Sequence, residues 1–225
     1  MDVLVIGGSG PTGALVVERL LARGDEVRVL SRNPGRRSWE KPVSWVRGDL
    51  RDVESLRPAV EGVGAILMTS GTRNVLGVGS NTGKQVDEEG VRHVLDAAAA
   101  VGFQGRFGYL STALALRGNR HPFGVMLNVL RGGVLTHKRR AEEQIRGSHL
   151  DYAILRPGML TNGPSGRRLR FGTGDRLTGA VSRASVAEVM VQWLDQPEVR
   201  IAFDLVEAPA RGSRDWTTLF SSVSS

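Results

Sequence analysis

The sequence predicts an α/β protein built on a doubly wound parallel sheet, and three observations predict it. The chain opens on a short apolar strand, Val3-Leu4-Val5-Ile6, passes at once into Gly7-Gly8-Ser9-Gly10-Pro11-Thr12-Gly13, and continues through an amphipathic helix from about Ala14 to Arg23 into a second strand, Glu26 to Leu30. Strand, glycine turn, helix and strand within about thirty residues form the βαβ unit that seats a pyrophosphate on a helix N-terminus. Short continuous apolar runs such as Ala65-Ile66-Leu67-Met68 suit strands covered on both faces, as in a parallel sheet. Helical periodicities alternate with these runs along the chain. At 225 residues the chain is long enough for one full domain with a large core: residues 1–160 read as a cofactor-binding core, residues 161–225 as a small C-terminal cap and substrate region.

Each glycine of the first turn has its own task. Gly7 allows the turn off the strand, Gly10 lets backbone amides approach phosphates, and Gly13 lets the helix pack close to the sheet. Gly8, Ser9, Pro11 and Thr12 complete the loop. The end of the second strand then selects the ligand: an acidic residue there accepts from a ribose 2′-hydroxyl, whereas an arginine accommodates a 2′-phosphate. The chain has Ser31 and Arg32, with Arg36 and Arg37 close behind. A guanidinium pairs with phosphate oxygens in a fork, so NADP(H) is expected over NAD(H).

The glycine loop resembles the GATGxTG loop of the atypical short-chain dehydrogenase/reductase superfamily, in the subgroup of biliverdin-IXβ and flavin reductases and nitrogen-metabolite-repression regulators. The resemblance reaches to about Leu160 and implies a Rossmann-type fold. It also implies a small-molecule reductase or an NADP-binding regulator.

Composition narrows the classes. There is no cysteine, so neither a disulfide framework nor thiolate chemistry is on offer. No apolar run approaches the ~18 to 20 residues that span a bilayer, and a strand begins within two residues of Met1, so a soluble, cytoplasmic protein without a membrane partner is expected. Net charge is +7, and of 30 basic residues only Lys41, Lys84 and Lys138 are lysines. The arginines are scattered and aromatics make up 5%, a poor match to a nucleic-acid stripe with stacking platforms. An anionic small molecule fits better. No metal-ligand spacing is present, and a monomer or homodimer is expected.

In chain order, Val43 to Val46 reads as the third strand, followed by Gly48-Asp49-Leu50. The resemblance implies that Asp49 and Leu50 border the adenine, Asp49 accepting from its amine; Asp52 is the alternative, an N-cap for a helix to Val60. The run Ala65–Met68 ends in Thr69-Ser70-Gly71, small residues expected to line the ligand at the carboxyl edge. Thr72 to Gly83, rich in glycine, reads as a loop over the site. Val86 to Val101 is helical, with Val86, Asp87 and Gly90 matching the family's VDxxG and His93 assigned to surface or packing. Arg106 to Leu110 is the fifth strand, ending in Ser111-Thr112-Ala113. The resemblance implies an active-site hydroxyl here, best aligned with Thr112; hydroxyls that simply close a strand end are the alternative.

Leu114 to Gly133 is long for a βα connection, whose usual length is ~2 to 6 residues. Phe123, Met126 and Leu127 read as the wall of a pocket for a flat apolar substrate, or as part of a helix in a dimer interface. The next helix, Val134 to Arg146, carries Val134-Leu135-Thr136-His137-Lys138 where conventional members carry Tyr-x-x-x-Lys. The lysine remains and can hold the nicotinamide ribose; the tyrosine acid is gone. His137 and His121 are the other proton donors to consider. Hydride transfer to a conjugated acceptor that solvent protonates needs none.

Asp151 to Gly158 matches the family's LDYTIxRPG segment, which implies that the backbone after Pro157, at Gly158, Met159 and Leu160, holds the nicotinamide carboxamide. Beyond it, Arg167 to Phe171 reads as a short strand, and Ser182 begins a helix in which Ser185 replaces the family's usual Asp. A last strand, Ile201 to Val206, and a helix, Arg214 to Phe220, close the chain. Three functions fit: an NADP(H)-dependent reductase of a conjugated, quinone-like or flavin-like molecule, a redox sensor or assembly protein that binds NADP(H) without turnover, and a non-redox isomerase or cyclase.

Overall fold

The computed structural model describes residues 1–71, 84–117, 133–174, 177–197, 199–210 and 212–224. The loop expected at Thr72 to Gly83, and the candidates His121, Phe123, Met126 and Leu127, lie outside them. Strand β1 (Asp2–Ile6) leads through the glycine turn to α1 (Pro11–Arg23), and β2 (Glu26–Ser31) and β3 (Ser44–Arg47) follow. After α2 (Val53–Val60) and β4 (Ala65–Met68), a π-helical turn, Lys84–Glu88, runs into α3 (Glu89–Ala100). Next come β5 (Arg106–Leu110), the short α4 (Leu114–Arg117), α5 (Val134–Gly147), β6 (Asp151–Pro157) and β7 (Met159–Thr161). The chain closes with β8 (Leu169–Gly172), β9 (Ala180–Ser182), α6 (Arg183–Trp193), β10 (Ile201–Glu207) and α7 (Trp216–Ser221).

Eight strands form one sheet in the order β3-β2-β1-β4-β5-β6-β10-β8, parallel throughout except for the last pair. The order reverses at β1, which pairs with β2 on one side and β4 on the other, so the carboxyl ends of β1 and β4 flank the crevice where such sheets bind ligands. Alternation along each strand divides the core in two. Val3, Val5 and Leu67 face α1 and α6, whose Val17, Leu20, Met190 and Trp193 cover them. Leu4, Ile6, Ile66 and Met68 face the layer of α2, α3 and α5, where Leu56, Val91, Val94 and Ile145 pack. Such double coverage is why the inner strands read as unbroken apolar runs.

The expected boundaries shift by a few residues where caps decide them. Pro11 at the first position of α1 extends the helix three residues earlier than its amphipathic pattern suggests. Asp52 accepts from the Glu54 backbone N–H and starts α2, as its N-cap alternative proposed. Residues 161–225 differ most from expectation: β8 and β10 extend the central sheet and α6 covers its α1 face, so most of this segment is not a cap. The small parallel ribbon of β7 and β9, unforeseen in the sequence, is what stands at the cleft edge. Ser185 is buried and donates to Glu207 Oε1 at 3.1 Å, while the Ser182 N–H donates to the same oxygen. Glu207 on β10 thus takes two hydrogen bonds at the start of α6.

Candidate functional site: a dinucleotide cleft at the sheet edge

A cleft of about 950 Å³ runs along the carboxyl edge of β1, β2, β4 and β5. Its centre is the turn after β1. Gly7 has φ +86°, and a Cβ there would stand 2.7 Å from the Ser70 backbone nitrogen. At Gly13 a Cβ would fall 2.2 Å from the Gly7 carbonyl oxygen and 2.5 Å from Thr69 Oγ1, so the start of α1 lies directly on the turn. The Gly10 N–H closes that turn on the Gly7 carbonyl at 2.8 Å. No side chain caps α1, which leaves the positive end of its dipole to the cleft. Gly7, Ser9, Gly10, Pro11 and Thr12 line the cleft; Gly8 and Gly13 do not, because a Cβ at Gly8 would meet Val29 in the core.

At the end of β4, Thr69 spends its hydroxyl on the Ile6 carbonyl at 3.1 Å. The Ser70 hydroxyl is buried, lines the cleft and has no hydrogen-bond partner among the described residues. A buried hydroxyl in that state calls for a polar ligand atom. Gly71 lies beside it, with Lys138 Nζ 3.8 Å from where a Cβ would be.

Ser31, Arg32, Asn33, Arg36, Asp49 and Arg51 form one end of the cleft. Arg32 and Arg36 make no ion pair among the described residues and stand exposed, whereas Arg37 lies 3.9 Å from Glu18 on α1 and does not reach the cleft. Ser31 is turned back on its own loop, accepting from the Asn33 N–H at 3.1 Å. Both Asp49 oxygens accept from Arg51, at 3.0 Å from Nε and 2.6 Å from Nη2. The Leu50 carbonyl contacts His93 Nδ1 at 2.6 Å, so His93 braces the floor from α3 and takes the packing role expected of it.

At the other end, Lys138 rises from α5. Its Nζ lies 3.3 Å from Asp87 Oδ1, 3.3 Å from the Leu110 carbonyl oxygen and 5.2 Å from the centre of the Tyr109 ring. Burial opposes the ammonium charge, but Tyr109 and Asp87 more than offset it and raise the Lys138 pKa, so the group is a fixed cation. Burial likewise pushes the Tyr109 hydroxyl up to about 12 against the opposing charge of Lys138, with Asp87 and Glu142 adding to the rise. Leu110, Leu114, Val134, Leu135 and Leu160 supply apolar wall around this end.

Several candidate residues are placed otherwise than expected. Ser111 lines the cleft, but its Oγ donates to Glu142 Oε1 at 2.5 Å inside a buried network in which Arg156 forks the same carboxylate. Its proton is committed, so it is no donor to a substrate. Thr112 differs: its Oγ accepts from the Leu114 N–H at 3.4 Å, leaving its proton for the cleft. His137 is outside the cleft, its Nδ1 2.5 Å from Glu88 Oε2, because adjacent helical residues point about 100° apart. Pro157 is a buried strand residue, Gly158 abuts the Gly179 carbonyl, and Met159 points to solvent at 71% exposure. Of the expected carboxamide segment only Leu160 lines the cleft. Arg51, Gln85 and Arg183 line it without having been singled out. Arg51 is signalled by its place beside Asp49, whereas Arg183 reaches the cleft only because the β7–β9 ribbon carries it there, where it donates to Asn162 at 2.7 Å.

Residues 7–197 match the sequence profile of the family described as NAD(P)H-binding. The chain belongs to that family. Among similar proteins, sanguinarine reductase of Eschscholzia californica is 29% identical over 99% of this chain and 96% of its own length. A photosystem II assembly factor of Cyanophora paradoxa is 31% identical over 69% of this chain and 44% of its own length. Among solved structures, the oxidoreductase ylbE of Lactococcus lactis superposes with a TM-score of 0.83, at 18% identity, over 99% of this chain and 96% of that one. An anaerobillin reductase of Escherichia coli gives 0.71 at 23% identity, over 92% and 97%. The Rossmann fold is thus shared with this family, as the glycine loop implied. The residues fit its dinucleotide on the chain's own geometry: an uncapped helix end, a turn with no room for Cβ atoms, and an orphaned Ser70 hydroxyl.

Proposed function

We propose that the protein is an NADP(H)-dependent reductase that delivers hydride to a conjugated aromatic, quinone-like or flavin-like small molecule. The observation that carries this reading is the pairing of a charged Lys138 with Val134, where the superfamily's tyrosine acid would stand. The bound dinucleotide supplies the hydride. The open end of α1 and the Ser70 hydroxyl meet the phosphates, Arg32 and Arg36 meet a 2′-phosphate, and Lys138 holds the nicotinamide ribose. Thr112 donates a hydrogen bond that orients the acceptor. Leu110, Leu114, Val134 and Leu160 exclude water and press a flat apolar molecule against the reacting face. With valine at 134 no side-chain acid stands at that position, which suits acceptors that spread the incoming charge over a ring system and take their proton from solvent. The name of sanguinarine reductase, related over nearly the whole chain, supports reduction as the activity.

The test is NADPH oxidation followed by absorbance against flavins, naphthoquinones, anthraquinones and simple ketones, with NADH as control. Turnover with a quinone or flavin and none with a ketone is the expected result. Equal rates with ketones would overturn the argument from Val134. A second reading, an NADP(H)-binding sensor or assembly protein, is favoured by the same loss of tyrosine and by the name of the assembly-factor relative. Tight NADPH binding with no turnover across the panel would select it.

A further inference from the structure

Arg51 has no part in the reading above, yet it occupies the adenosine end of the cleft in a defined geometry. Its Nε and Nη2 take both oxygens of Asp49, and its own backbone N–H donates to Asp49 Oδ1 at 3.0 Å. Asp49 is the only carboxylate among the described residues that line the cleft, and it shares that end with Arg32 and Arg36. Hydrogen bonds from Arg51 hold the Asp49 carboxyl below the usual range against the opposing effect of burial, and the charge on Arg32 adds to the lowering. Asp49 therefore lies within electrostatic reach of the arginine expected to meet a 2′-phosphate.

The sign of that arrangement matters. An uncompensated carboxylate here repels a phosphate dianion and accepts from a ribose hydroxyl or an adenine amine, so left alone Asp49 favours the unphosphorylated dinucleotide. We propose that Arg51 sets the cofactor preference by capping Asp49: it cancels the negative charge and turns its remaining N–H groups toward the 2′-phosphate. A guanidinium has five donors and the Asp49 fork uses two, so both tasks are open to one side chain. Its side chain is 56% exposed, within reach of an arriving ligand. The inference rests on the NADP(H) reading and adds to it a residue that decides the selectivity.

The experiment is a fluorescence titration of NADPH and NADH with the wild type, Arg51→Ala, Asp49→Asn, the double variant and Arg32→Ala. Arg51→Ala should lower the NADPH to NADH affinity ratio by about tenfold or more, with NADH binding unchanged or tighter. The double variant should recover part of the ratio, because the exposed carboxylate is gone. A ratio unchanged in Arg51→Ala, in a protein whose preference does collapse in Arg32→Ala, overturns the role of Arg51 alone. A wild type that binds the two dinucleotides equally overturns the NADP(H) reading and this inference with it.

Discussion

On the reductase proposal, Arg32 and Thr112 are the residues whose substitution should separate binding from chemistry. Arg32 is exposed at the cleft end and makes no ion pair among the described residues, although its charge is felt by Asp49, so it is open to a phosphate. Arg32→Ala should weaken NADPH binding by about 1 to 3 kcal/mol while leaving NADH nearly unchanged, as calorimetry with both dinucleotides would show. Thr112 keeps its proton for the cleft, while its neighbour Ser111 gives its own to Glu142. Thr112→Val should lower kcat about tenfold or more with little change in NADPH affinity. A full rate would reduce Thr112 to a strand-end residue. Tyr109 permits a third test. Its hydroxyl titrates at about 12 in the folded chain against 10.0 when unperturbed, so the unfolded state loses its proton first as pH rises. The stabilising contribution is whole below pH 10 and drains away up to about 12. Urea unfolding should show stability falling across that window, with Lys138, whose pKa is also raised, adding to the fall above 10.5; Tyr109→Phe should make the fall shallower, and equal slopes in both proteins would contradict the Tyr109 contribution.

At the scale of elements, the junction of β1, its turn and α1 is the most constrained part of the site. A Cβ at Gly13 would lie 2.2 Å from a backbone oxygen, which no side-chain adjustment relieves. Gly13→Ala should therefore cost about 1 to 3 kcal/mol of stability and weaken NADPH and NADH together, read by thermal unfolding and titration. This junction was legible in the sequence because strand, turn and helix are contiguous and glycine has a narrow set of reasons to recur there. The helix α5 shows the limit of such reading. His137, Lys138 and Glu142 lie within six residues, and chain order alone does not say which of them meets the ligand. Packing decides it: Lys138 reaches Asp87 and the cleft, His137 turns to Glu88, and Glu142 is buried against Arg156.

Across the whole molecule, the parallel strands from β3 to β6 and the ligand edge were readable from apolar runs and their punctuation, whereas the reversal of strand order at β1 was not. Those patterns record double burial and backbone geometry, both local properties of the chain. The sequence by itself determined the inner parallel strands, the glycine turn, the valine at 134 ahead of Lys138 and the arginines that follow β2. Only the tertiary structure decided that residues beyond 160 extend the sheet, since β10 must find β6 across an intervening helix. It also decided that Ser111 is committed to a buried carboxylate, that Glu207 serves Ser185, and that Gly158 and Met159 lie outside the cleft. Each of these depends on which distant side chain or backbone group arrives at a given place. Periodicity and motif spacing carry no record of that, because long-range contacts are set by how the layers close on one another.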